Sequence, residues 1–100
     1  MLPDALLVER VAALGDKAAL AELYGRHGMS LYAIAYTVAF DPEAADAAVA
    51  AAFREAWVSA GSFNARECNV RQWLADLTRR AVRETLRGPV RPRPVSRLVA

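Results

Sequence analysis

The chain of 100 residues has one cysteine, one histidine and one lysine. A lone Cys68 excludes an intramolecular disulfide and suits a reducing, cytoplasmic setting. Cys68 and His27, distant in sequence, do not make a zinc set, so no metal is expected, and no other cofactor. No Ser/His/Asp, Cys/His or paired-carboxylate arrangement has supporting spacing, and no glycine-rich phosphate loop is present. Catalytic residues are therefore not expected, and neither is an enzyme. The longest apolar-leaning run, Met29–Phe40, is too short to cross a bilayer and contains Ser30 and Thr37. Met1-Leu2-Pro3-Asp4 lacks the basic flank of a signal peptide. No segment alternates apolar and polar residues over the length of a strand.

What is abundant is alanine and arginine. The apolar fraction is 55%, but 22 of those residues are alanines, which bury little each, so the chain can build one small core. Charge is divided unevenly. Residues 66–100 carry nine arginines against three acids, a net of +6, while residues 1–65 carry four basic residues against eight acids, a net of −4. A basic C-terminal third suits a polyanion, and the acidic remainder is free to meet a basic protein surface.

Helical patterning runs throughout and predicts an all-α, compact bundle of about five helices over residues 1–88, followed by an Arg/Pro-rich tail at 89–100. A first helix spans Asp4–Leu14, with Leu7, Val11 and Leu14 inward, and ends at Gly15. Asp16 caps a second near Lys17–His27, aligning Leu20, Leu23 and Tyr24, with Gly28 as its stop. A third near Ser30–Phe40 is apolar on almost every side and belongs in the middle of the bundle. Asp41-Pro42-Glu43 starts a fourth, whose inward stripe is Val49, Phe53 and Trp57, widened by Ala45, Ala52, Ala56 and Ala60. After Gly61 and a polar loop around Phe63, a fifth runs from Val70 to Arg87 and buries Val70, Trp73, Leu74, Leu77, Ala81 and Leu86.

The order of pieces is specific even where no piece is. Gly15-Asp16-Lys17-Ala18-Ala19-Leu20-Ala21-Glu22-Leu23-Tyr24 is followed by Leu31-Tyr32-Ala33-Ile34-Ala35, then by Asp41-Pro42-Glu43-Ala44-Ala45, Phe53, Trp57 and Phe63, and finally by Val70-Arg71-Gln72-Trp73-Leu74. Over residues 4–87 this series resembles region 2, the promoter-melting domain, of extracytoplasmic-function sigma factors of bacterial RNA polymerase. The resemblance implies RNA polymerase core and the −10 promoter element, partly single-stranded, as partners. It places capture of an unstacked base in the loop at 62–69, where Asn64, Arg66 and Asn69 have the right polarity. In the family, the middle of the fourth helix carries acidic and amide residues that dock on polymerase. Here that surface reads Asp46, Ala47, Ala50, Ala51, Arg54 and Glu55. Members of this group carry a second helical domain, and the resemblance implies that residues 89–100 are either a tail or the start of a linker to one, in an excised domain or a natural single-domain relative.

The fifth helix spaces Asp76, Arg79, Arg80, Arg83 and Arg87 at three- and four-residue intervals opposite Leu74 and Leu77, with Arg71 and Gln72 upstream. Such a stripe can track phosphates and read guanine edges. The competing reading is a solvated face with Asp76–Arg80 and Arg80–Glu84 pairs, but a solvated face requires no such excess of one sign. Asn69 suits a helix cap as well as a base contact, Trp73 suits the core, and Phe63 suits either core or base stacking. Cys68 is either a plain free thiol or one made acidic by Arg66 and Arg71. His27 reads as a helix-terminal residue facing the dipole. Glu43, Ala47, Ala50, Ala51, Arg54 and Val58 share an outer face suited either to a protein partner or simply to helix formation. The partner would be polymerase, an anti-sigma factor or a second copy of the chain. Three functions follow: a sigma factor-like initiation domain, a degenerate sigma-like regulatory module without productive core binding, or a generic DNA-coating helical protein with no preference for single-stranded promoter sequence.

Overall fold

A computed structural model describes residues 1–87. The Arg/Pro tail, with Arg91, Arg93 and Arg97, lies outside the described residues. Four α-helices occur among them: α1 Asp4–Leu14, α2 Lys17–Ala39, α3 Pro42–Ser59 and α4 Val70–Arg87, with a single 3-10 turn, Ala60–Ser62, after α3. Helices α2, α3 and α4 pack on one another, and α1 lies against α2 and the 3-10 turn.

The sequence signals for starts and stops act where expected, with one exception. Gly15 takes a left-handed conformation (φ 60°) after α1, and the N–H groups of Gly15 and Asp16 bond back to the carbonyls of Val11 and Arg10. The Asp16 carboxylate accepts the Ala19 N–H at 3.1 Å, and the Asp41 carboxylate accepts the Ala44 N–H at 2.9 Å. The exception is Gly28. The predicted second and third helices are one helix of 23 residues, α2. Ala19, Leu23, Gly28, Leu31 and Ala35 form one unbroken buried stripe, so tertiary burial outweighs the roughly 1 kcal/mol that glycine costs a helix interior. Ser30, the residue expected to open a new helix, instead accepts a hydrogen bond from Arg71 of α4.

The longer α2 corrects a second expectation. Its C-terminal half is not buried all round: Leu31 and Ala35 are fully buried, but Tyr36 and Val38 are exposed, and Phe40 is 74% exposed. Tyr32 stacks on Tyr36, Tyr36 meets Phe40 edge-on, and Phe40 closes the helix in a left-handed conformation (φ 53°) that disfavours a side chain. Leu14, Tyr24 and Leu86, expected inside, are also exposed, the first and last because they stand in the final turn of their helices.

The core is built from Leu7, Val8 and Val11 of α1, Leu23 and Leu31 of α2, Val49 and Phe53 of α3, and Leu74 and Leu77 of α4. Four alanines of α3 (Ala45, Ala48, Ala52 and Ala56) are almost fully buried and let α2 and α4 approach closely. Thr78, the one buried polar residue among those described, donates its hydroxyl to the Leu74 carbonyl at 2.9 Å and leaves no unmet bond.

Candidate nucleic-acid and protein interfaces

Helix α4 is the most sharply two-sided element. Leu74, Ala75, Leu77, Thr78 and Val82 face the core, while Arg79, Arg80, Arg83 and Arg87 are exposed on the opposite side. Among the described residues, only Arg79 of this face has a carboxylate within ion-pair distance: Asp76, at 3.4 Å on the same helix. The expected Asp76–Arg80 and Arg80–Glu84 pairs are not formed. The acids of the N-terminal half do not reach the arginine face. Their ion pairs are made within the N-terminal half, Asp16 with Arg10 at 3.6 Å, and Glu22 and Asp4 with Arg26. Arg71 stands apart from the stripe, on the flank of α4 that looks onto α2, with its guanidinium donating to the Ser30 hydroxyl at 3.4 Å.

The loop before α4 is held by local bonds. Asn64 Oδ1 accepts the Arg66 N–H at 2.9 Å, and the Asn64 carbonyl accepts the Glu67 N–H at 3.0 Å. Asn69 and Gln72 form a reciprocal cap. Asn69 Oδ1 accepts the Gln72 N–H at 2.8 Å, and Gln72 Oε1 accepts the Asn69 N–H at 3.0 Å. Both oxygens are therefore engaged in starting α4, and the side-chain NH₂ groups remain for a ligand. Gln72 was readable in the sequence as the fourth residue of an Asn-x-x-Gln capping pattern. Phe63 packs on Trp73 with ring centroids 5.1 Å apart, and both are half-buried against the core. This contact fixes the loop's start and makes Phe63 a packing residue. Cys68 is a half-buried free thiol.

The outer seam between α2 and α3 is a second, chemically different surface. Two shallow grooves follow one another along it. One, of about 610 Å³, lies between Leu20, Phe53, Trp57 and Val58, with Lys17 and Arg54 at its rim. The other, of about 420 Å³, lies between Tyr24, Gly28, Met29 and Tyr32, with Asp46 at its rim. Tyr24 meets Phe53 edge-on at 5.2 Å where the grooves join. Trp57, expected in the core, is 37% exposed here, because α2 ends its cover of α3 near Lys17. Asp46, Ala47, Ala50, Arg54 and Glu55 are exposed, and Ala51 is half-buried.

His27 lies in mid-helix rather than at a helix end. Its Nε2 is 2.7 Å from Asp4 Oδ2, while Arg26 donates to Asp4 Oδ1 at 2.8 Å and to Glu22 at 3.2 Å. Burial by itself would raise the Asp4 carboxyl, but hydrogen bonds and charge from Arg26 and His27 outweigh it and hold the carboxyl below its ordinary value. The same contact with Asp4 raises the Arg26 guanidinium. This cluster fastens the start of α1 to the middle of α2. Among the described residues no group of His, Cys, Asp and Glu could hold a metal ion, and no helix is long and apolar enough to cross a membrane.

The described residues thus form a short helical bundle with a cationic outer face on α4 and an apolar seam between α2 and α3. The sequence matches the sigma-70 region 2 family over residues 23–91, a stretch that begins in the second turn of α2 and includes all of α3 and α4, and the chain belongs to that family. The family is a domain of transcription-initiation factors that binds RNA polymerase core and promoter DNA. No curated protein and no solved structure matches the chain.

Proposed function

We propose that this chain is a sigma factor-like initiation domain that holds the −10 promoter element through the 62–69 loop and the outer face of α4, and meets RNA polymerase core through the α2–α3 seam. The observation that carries the reading is the exposed face of Arg79, Arg80, Arg83 and Arg87, three of which have no carboxylate within reach among the described residues. An arginine row on a rigid helix neutralises phosphates and releases their counterions. Asn64, Arg66 and the free amide nitrogens of Asn69 and Gln72 supply donors for the edge of a base drawn out of its stack. Arg71 would contribute from the flank beside Ser30. Strand opening in this scheme uses binding energy alone, and the domain works in the cytoplasm alongside polymerase.

A second reading is favoured by Ala47, Ala50 and Ala51, which give the middle of α3 no acid or amide except Asp46 and Glu55. In that reading the domain keeps the fold but not productive core binding, and acts as a regulator or as a partner for an anti-sigma factor. The two are separated by mixing the chain with polymerase core and a fluorescent promoter fragment at two salt concentrations. Co-migration with core and sequence-dependent capture of single-stranded −10 DNA supports the initiation domain. Capture of neither core nor DNA supports the regulatory module, and salt-sensitive, sequence-blind DNA binding without core would contradict both.

A further inference from the structure

The seam between α2 and α3 carries a pattern that fits its own image. Asp46, Ala50 and Arg54 lie one helical turn apart on a single ridge of α3, acid at one end, base at the other, alanine between. Among the described residues neither Asp46 nor Arg54 has an ion-pair partner. The grooves divide at the same place. Ala50 and Arg54 belong to the groove with the cationic rim, and Asp46 to the groove with the anionic rim.

A twofold axis through Ala50, with two α3 helices antiparallel, sets Arg54 of each copy opposite Asp46 of the other. It also lays each copy's Tyr24–Met29 groove over the other's Trp57 groove. Met29, 84% exposed at the rim of its groove, then becomes the side chain that enters the space between Leu20, Phe53, Trp57 and Val58 of the second copy. Alanine at 47 and 50 lets the two backbones approach to the 8–10 Å of packed helices. We propose that the chain forms an isologous homodimer through this seam. The dimer covers the surface assigned above to a protein partner, so self-association and partner binding exclude one another. The inference goes beyond that assignment and needs neither polymerase nor DNA for its test.

Sedimentation equilibrium of the full chain, from about 1 μM to about 1 mM, reads the association directly. Dimer is expected to accumulate across this range. Arg54→Asp sets two acids against each other at each end of the interface, and Asp46→Arg sets two bases. Each should weaken the dimer roughly tenfold or more. Both side chains are exposed, so helical circular dichroism should be unchanged. An equimolar mixture of the two variants restores opposite charges at both ends and should dimerise at wild-type concentrations, as should the double variant Asp46→Arg/Arg54→Asp. A wild-type chain that stays monomeric throughout overturns the proposal, as do single variants that dimerise undiminished or a mixture that stays monomeric. Loss of core binding in a separate assay leaves it standing.

Discussion

Helices α3 and α4 have the same length, 18 residues, and both bury one apolar stripe in the same core. Their outer faces could hardly differ more. That of α4 is a row of guanidinium groups standing in water. That of α3 is alanine bounded by Asp46 and Arg54, so little desolvation opposes the approach of another protein. The inner faces decide that there is a bundle, and the outer faces decide what the bundle meets.

Both faces depend on one shared core. Leu74 is fully buried beneath the arginine face, and Leu74→Ala should cost about 2–5 kcal/mol in denaturant unfolding. Both surfaces should then fail together, whereas a loss confined to DNA binding would show that α4 does not depend on the common core. Restoring the family's residue types on α3, with Ala47→Asp, Ala50→Gln and Ala51→Glu together, should tighten polymerase-core binding by about tenfold or more and leave DNA binding unchanged. An unchanged core affinity would mean that these alanines do not set it. Asn69→Ala should cost about 1 kcal/mol of stability through the lost cap, with Asn69→Asp close to wild type. If Asn69→Ala abolishes base capture at full stability, the residue's role is at the DNA.

The smallest effect concerns the fastening of α1. The Asp4 carboxyl is held below its ordinary 3.8, so its contribution is complete at neutral pH. The contribution starts to fade as the pH falls through that ordinary value and is gone once the folded-state value is passed. Asp4→Asn should lower the melting temperature by a few degrees at neutral pH and converge with wild type in strong acid. A constant gap at all pH would show that the carboxylate charge is not what matters.

Much of this was legible in the sequence because capping chemistry is local. Asp16, Asp41-Pro42 and Gly15 are read from a few neighbours and act as read. Gly28 misled because its helix is held by Leu23, Leu31 and Ala35 against other elements, which no local signal reports. The exposure of Tyr36, Phe40 and Trp57 is equally hidden from sequence, because an apolar residue on a helix does not itself report which neighbour covers it. Asp4, Arg26 and His27 come together across 22 and 23 residues, a contact with no sequence signature. The arginine face was legible because its spacing and sign are both written in one helix.

The salt dependence of binding to a promoter fragment with an open −10 region tests that face most directly. Wild-type binding should weaken steeply with salt, and Arg80→Ala and Arg83→Ala should each flatten the log–log slope by about one unit without changing helical content. Slopes identical to wild type in both variants would remove α4's outer face from the DNA and contradict the account.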